Sequence, residues 1–130
     1  VSVGELVEAA RAAAEGSYSP YSGFRVGAAV VVAGGEVFTG ANVENASYPV
    51  TSCAETTAIN TAVARGARKI DTVVVACIDA DGVDGAYPCG RCRQVMAEFG
   101  VEKVVVTAGA GSAAREHTLD ELLPRRFGPR

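Results

Sequence analysis

Cys53-Ala54-Glu55 and Pro88-Cys89-Gly90-Arg91-Cys92 are the two segments of this chain whose residue types and spacing could do chemistry. Each stands where a helix is predicted to begin, over residues 53–65 and 90–99. A helix start offers N–H donors without intrahelical partners and a partial positive charge. Both favour thiolate over thiol, and the thiolate is the form that binds zinc. Two neighbouring helix starts can therefore bring Cys53, Cys89 and Cys92 to one point. Zinc prefers four tetrahedral ligands, so three protein ligands leave one position for water. Glu55, two residues after Cys53, lies near that position on a different side of the helix, where its carboxylate can take a proton from the water. The expectation is a hydrolytic site holding one Zn2+ per chain, with Glu55 as the catalytic acid and base.

The same residues admit plainer readings. Ser52-Cys53-Ala54-Glu55 fits a capping box, in which Glu55 would only bond back to the Ser52 backbone. Cys89 and Cys92 could be a redox pair, which leaves Cys53-Ala54-Glu55 unexplained. Cys77 could close a purely structural zinc site as a fourth ligand, but it lies in the apolar run 73–78, where a small buried thiol is the commoner reading. His117 is the single histidine, and no His-x-Glu occurs. Asn42 and Glu44, two apart at a strand end, project to one side with Val43 opposite. An amide and a carboxylate side by side suit a hydroxyl, which both donates and accepts; in the plainer reading they are a loop former and a solvated charge.

The elements that must position these residues are legible in outline. Residues 3–14, rich in Ala, Glu and Leu, read as a helix, and 16–23 as a loop. Residues 24–33 and 36–43 read as a hairpin joined by Gly34-Gly35. A polar loop over 44–52 precedes the first cysteine helix. Residues 72–79 read as a central strand, apolar on both faces, and 80–87 as a loop leading to the second cysteine helix. Residues 101–108 read as a strand, 109–111 as a turn and 112–117 as a short antiparallel return. A last helix over 118–123 has Thr118 and Glu121 in capping-box spacing. The order α-β-β-α-β-α-β-β-α implies an α/β fold, with helices packed on a mixed five-stranded sheet.

At 130 residues the chain is expected to form one domain. Hydrophobic residues make up 48% and charged residues 21%, an ordinary balance for a compact protein. No apolar run reaches the length of a membrane span. The expected location is cytoplasmic, since the first residues show no basic leader followed by an apolar segment, and four cysteines then speak for metal or burial rather than disulfides. The net charge of -3, with basic residues collected mainly at Arg125, Arg126 and Arg130, disfavours a nucleic-acid partner.

Beyond these spacings, several blocks occur together and in order: Ser19-Pro20-Tyr21-Ser22, Phe24-Arg25-Val26-Gly27-Ala28-Ala29, Asn42-Val43-Glu44-Asn45-Ala46-Ser47-Tyr48, Cys53-Ala54-Glu55, Pro88-Cys89-Gly90-Arg91-Cys92-Arg93-Gln94-Val95 and Glu121-Leu122-Leu123-Pro124. Over nearly its whole length the chain resembles the small, three-cysteine, zinc-dependent cytidine deaminases of pyrimidine salvage. The resemblance implies an α-β-α sandwich and a homotetramer that converts cytidine and deoxycytidine to uridine and deoxyuridine with release of ammonia. It implies that Glu55 carries protons to ring N3 and then to the departing amine. It further implies that the Ala54 N–H and the Cys89 carbonyl touch the base, that Phe24 packs beside it, and that Asn42 and Glu44 hold the ribose 3′-hydroxyl. Ala46, Tyr48 and Phe127 would complete a neighbouring subunit's pocket.

Two positions depart from that family. Many three-cysteine members carry arginine directly after the glutamate, where this chain has Thr56, whose hydroxyl can donate but brings no charge. Helix dipoles, Arg91 and Arg93 are the candidates to offset the excess negative charge of three thiolates. Pro49 stands where glycine is frequent, which points to a differently shaped loop. Deamination of another aminopyrimidine nucleoside, such as blasticidin S, is the alternative within the enzyme class; a non-catalytic zinc-binding module is the alternative outside it.

Overall fold

A computed structural model describes residues 1–129; Arg130, counted with the basic tail, lies outside the described residues. Four helices, α1 (Val3–Ala14), α2 (Ala54–Ala64), α3 (Gly90–Glu98) and α4 (Leu119–Leu122), accompany five strands. The strands are β1 (Val26–Val32), β2 (Val37–Ala41), β3 (Ile70–Cys77), β4 (Lys103–Thr107) and β5 (Ala114–Thr118). They form one sheet in the order β2-β1-β3-β4-β5. Only β3 and β4 run parallel, joined through α3; the other neighbours are antiparallel. The expected mixed five-stranded sheet is thus observed, with the hairpin, the central strand and the antiparallel return in their expected places.

Period-two alternation divides the sheet into two apolar faces. Ala29, Val74, Ala76 and Val105 pack with Leu6, Val7 and Ala10 of α1. Ala28, Val30, Val73, Val75, Cys77, Val104 and Val106 face the other way, onto Ala54, Ala58, Ile59 and Ala62 of α2 and Cys92 and Met96 of α3. The result is an α-β-α sandwich in which both cysteine-bearing helices lie on the same face.

Two glycines set how closely the helices approach. A Cβ at Gly27 would lie 2.0 Å from the Ala10 carbonyl oxygen, and one at Gly40 would lie 2.6 Å from the Ala58 nitrogen and 3.0 Å from the Ala54 carbonyl oxygen. No larger residue fits there unless backbone moves. Gly40 therefore determines the seating of α2, the helix that begins at Cys53.

Several strands are shorter than the apolar runs suggest, and β3 is shifted by two residues; at β1 the reason is identifiable. β1 begins at Val26 rather than at residue 24 because side chains claim the backbone just before it. The Arg25 N–H donates to Asp79 Oδ2 at 2.8 Å, and the Phe24 carbonyl accepts from Asn42 Nδ2 at 2.9 Å. The Arg25 guanidinium also grips Asp79 through both carboxylate oxygens, at 3.0 and 2.9 Å. These hydrogen bonds hold the Asp79 carboxyl down at about 2. The loop over 44–52, expected to be irregular, contains a 3-10 turn at Tyr48–Val50; Pro49 occupies its first turn, where a missing N–H costs little.

Two outcomes are expected. Gly40→Ala should lower stability by about 1–3 kcal/mol in urea unfolding, because α2 must move off the sheet. The Asp79 carboxylate contributes stability that is complete above the unfolded value, near 4, and is lost as pH falls through about 2. Acid unfolding of Asp79→Asn should accordingly be less steep than that of the parent over this window; identical profiles would contradict the assignment.

Candidate active site

Cys53 and Cys89 are the N-cap residues of α2 and α3, and Cys92 sits in the first turn of α3. The Sγ atoms of the three residues all lie within 4.8 Å of one another, with Cys53 and Cys89 3.7 Å apart. A tetrahedral zinc ion with Zn–S bonds of about 2.3 Å requires sulfurs roughly 3.8 Å apart, so the cluster fits the ion as it stands. Burial grades across the cluster: Cys89 is exposed, Cys53 half-buried and Cys92 fully buried. The hydrogen bond with Cys53 and burial both push the Cys92 thiol up from its usual range. Ionising a thiol in such a place needs a cation, which is what a bound metal provides. Zn2+ is the cofactor that this donor set fits.

Cys77 does not join the cluster. Its Sγ lies 3.6 Å from the Ala86 carbonyl oxygen, and burial together with the Glu55 charge pushes its thiol up to about 12. It stands in the wall of the site as a neutral thiol, so a site closed by four cysteines is not what the chain builds.

The capping-box reading of Glu55 also fails. The chain contains the Ser/Thr-x-x-Glu pattern at Ser2–Glu5, Ser52–Glu55 and Thr118–Glu121. Reciprocal capping forms at the first and third. At α2 the N-cap is Cys53, one residue later, with no side-chain capping bond, and the Ser52 hydroxyl instead meets Thr57 Oγ1 at 2.8 Å. Glu55 is thereby left out of a cap and lines the same cavity as Cys53 and Cys89. It is only 4% exposed, and burial pushes its carboxyl above the usual range.

Cys53, Ala54, Glu55 and Cys89 open on a cavity of about 200 Å3, shared with Phe24, Asn42, Thr51, Cys77 and Tyr87. Asn42 lies just past the end of β2 and is buried. Its Oδ1 accepts from Ser17 Oγ at 2.5 Å and from the Val26 N–H at 3.0 Å. Glu44, expected beside Asn42, lines an adjoining hollow of about 330 Å3 with Tyr21, Ser22, Asn45, Tyr48 and Thr51. Thr51 belongs to both spaces. Glu44 Oε1 accepts from the Tyr21 and Ser22 N–H groups, each at 3.0 Å, and the Ser22 hydroxyl donates to Oε2. These bonds hold its carboxyl below the usual range, the hydroxyl contributing most. Ala46 is exposed, as are Tyr48, at 71%, and Phe127, at 84%; neither Ala46 nor Phe127 lines the cavity.

Tyr87 was not singled out as a site residue from the sequence, where it read as the end of a loop. Its ring lines the cavity, and its hydroxyl pairs with His117 Nε2 at 2.8 Å across to β5. A bulky aromatic immediately before Pro88 was the signal available. Arg91 and Arg93, candidates to offset the thiolate charge, both turn elsewhere. Arg91 Nη1 donates to the Thr51 carbonyl at 3.1 Å, and Arg93 donates to the Pro88 and Leu122 carbonyls at 2.9 and 2.8 Å.

Comparisons with known proteins agree with this geometry. Residues 2–108 match the family model described as the cytidine and deoxycytidylate deaminase zinc-binding region. Cytidine deaminase of Halalkalibacterium halodurans is 46% identical over 123 residues, which cover 94% of this chain and 91% of that protein. Blasticidin-S deaminase of Bacillus cereus is 33% identical over 107 residues, covering 78% of this chain and 76% of that protein. The crystal structure of cytidine deaminase from Burkholderia pseudomallei superposes with a TM-score of 0.90 at 44% identity, covering 98% of this chain and all of that one. The matched region spans most of the chain and includes all three clustered cysteines and Glu55: the chain belongs to the cytidine and deoxycytidylate deaminase zinc-binding family.

Proposed function

We propose that the protein is a zinc-dependent hydrolytic deaminase of cytidine and deoxycytidine, acting as one domain and yielding uridine or deoxyuridine and ammonia. The observation that carries this reading is a cavity where Cys53 and Cys89 of the three-sulfur cluster and the buried Glu55 carboxyl meet an aromatic ring and an unpaired helix-start N–H. Cys53, Cys89 and Cys92 hold the ion. When bound, zinc supplies a Lewis acid that makes a water molecule acidic enough to react near neutral pH.

The remaining work falls to the chain. Glu55 takes one proton from the water and places it on ring N3 as the oxygen bonds to C4. It then moves the second proton to the amino group, the C4–N bond breaks with its electron pair on nitrogen, and ammonia leaves. The oxygen remains as the C4 carbonyl and the first proton stays on N3, so one water is consumed for each ammonia released. The Ala54 N–H, at the first position of α2 where no intrahelical acceptor exists, can donate to the base. The Cys89 carbonyl can accept from its amino group, and Phe24 packs against the ring.

Asn42 has three of its four hydrogen-bonding positions filled by Ser17, Val26 and Phe24, which leaves one N–H for a sugar hydroxyl. Glu44 keeps a free lone-pair site for the same group. The cavity takes the base, and the hollow beside it, sharing Thr51, takes the ribose.

Exposure of Tyr48 and Phe127, with Tyr18, Tyr21 and Val50 also exposed, supports a homotetramer in which Ala46, Tyr48 and Phe127 complete a neighbouring subunit's pocket. Four free cysteines suit a reducing compartment, and among the described residues no helix is long and apolar enough to cross a membrane. The free cysteines support a cytoplasmic location, and a cytidine or deoxycytidine substrate supports a role in pyrimidine salvage. The net charge of -3 supports a free nucleoside rather than a nucleic acid as partner.

Incubation with cytidine should release ammonia and remove the cytidine absorbance band; no change at millimolar cytidine, with blasticidin S consumed instead, would transfer the assignment to the other aminopyrimidine. Glu55→Gln should reduce turnover by about 10²–10⁴-fold while zinc content stays at one per chain. Cys92→Ser should lose both zinc, read by elemental analysis, and turnover.

A further inference from the structure

Thr56 follows Glu55 on α2 and is 5% exposed. Its neighbours on the helix, Thr57 and Thr61, spend their hydroxyls on carbonyls four residues back, at 3.0 and 2.8 Å. Thr56 does not. The carbonyl four residues before it, that of Ser52, already accepts from the Val43 N–H at 2.9 Å. Thr56 Oγ1 lies instead 3.2 Å from Cys92 Sγ, the one sulfur of the cluster that is fully buried. Among the described residues it is the one side chain other than cysteine within hydrogen-bonding distance of the three sulfurs.

Three thiolates around a divalent ion leave the centre with one net negative charge. The cations nearest in sequence are engaged with carbonyl oxygens, Arg91 with Thr51 and Arg93 with Pro88 and Leu122. Neither guanidinium hydrogen-bonds a sulfur; the direct relief that the structure shows is the Thr56 hydroxyl at Cys92, beside the partial positive charge of the starts of α2 and α3. A thiolate carries no proton, so in the metal-bound state the hydroxyl must be the donor.

We infer that Thr56 is a positioning residue of the metal centre, donating its O–H to the Cys92 thiolate so that a buried anionic sulfur is stabilised without a hydrogen bond from a cationic side chain, and thereby helping to set the zinc affinity. The inference rests on the zinc-site reading above. Partners that orient and hydrogen-bond first ligands typically account for 10–100-fold in metal affinity. Valine has nearly the same shape as threonine and lacks only the donor, so a role in packing alone predicts that Thr56→Val changes nothing at the metal.

The test is competition for zinc between the full-length protein and a chromophoric chelator at fixed pH, together with the sulfur-to-cobalt charge-transfer band of the Co2+-substituted protein. Thr56→Val should bind zinc about 10–100-fold more weakly, with the band moved to lower energy because an unbonded thiolate gives up charge more easily. Thr56→Ser, which keeps the hydroxyl, should recover both to within a few-fold. Should the valine protein fail to fold, Thr56→Ala removes the same donor with less crowding and carries the same expectation. Parent-like affinity and band position in a folded Thr56→Val or Thr56→Ala protein would overturn the inference. A parent protein that holds no zinc and shows no charge-transfer band would overturn the zinc-site reading itself.

Discussion

Three sulfurs that belong to two different helices have to meet within a few ångströms, and one of them, Cys92, does so with no access to water. Gathering like charges in a desolvated place is unfavourable until a cation joins them. Much of the architecture serves that meeting. Both helices lie on one face of the sheet, and each begins where its first residues point back toward the other. Gly40 allows α2 to sit close enough on β2 for its start to reach the start of α3. The small residues Ala54, Ala58 and Ala62 along the buried side of α2 serve the same close approach.

Around this centre the walls are loops, and loops keep a shape only when their backbone groups have partners. Asn42 and Glu44 supply those partners. The amide of Asn42 ties Ser17, Phe24 and Val26 together, and the carboxylate of Glu44 gathers the N–H groups of Tyr21 and Ser22. The residues proposed to hold the sugar are therefore also the residues that shape the rim. In that proposal, sugar recognition and local order rest on the same few hydrogen bonds. On the opposite side, Tyr87 ties the segment before Cys89 to β5 through His117, giving the lone histidine a role in the wall of the site rather than at the metal.

Glu55 shows why a motif needs its surroundings. Ser2-x-x-Glu5, Ser52-x-x-Glu55 and Thr118-x-x-Glu121 have the same pattern, yet only the outer two close a capping box. At Ser52 the backbone already pairs with Val43 in both directions, and the hydroxyl goes to Thr57. With Ser52 held in that bridge, the helix starts one residue later and its glutamate is left to line the cavity beside Cys53 and Cys89. Local sequence offered two outcomes, and a contact with a residue nine positions upstream selected one.

Much of the molecule could be read from the chain alone. Alternation of apolar residues marked the strands, and punctuation by Gly and Pro marked the turns. Cysteine spacing pointed to the three sulfurs that cluster, because periodicity and helix-start chemistry are short-range properties that neighbouring residues determine. Tertiary structure decided what depends on residues far apart: that Cys77 stays a neutral wall residue, that Tyr87 reaches His117, and that Glu44 opens on a different hollow from Asn42. It also decided that Arg91 and Arg93 turn away while Thr56 turns toward Cys92. Those outcomes follow from which carbonyls are already taken and which faces meet, and such competition for partners is settled only when the whole chain has packed.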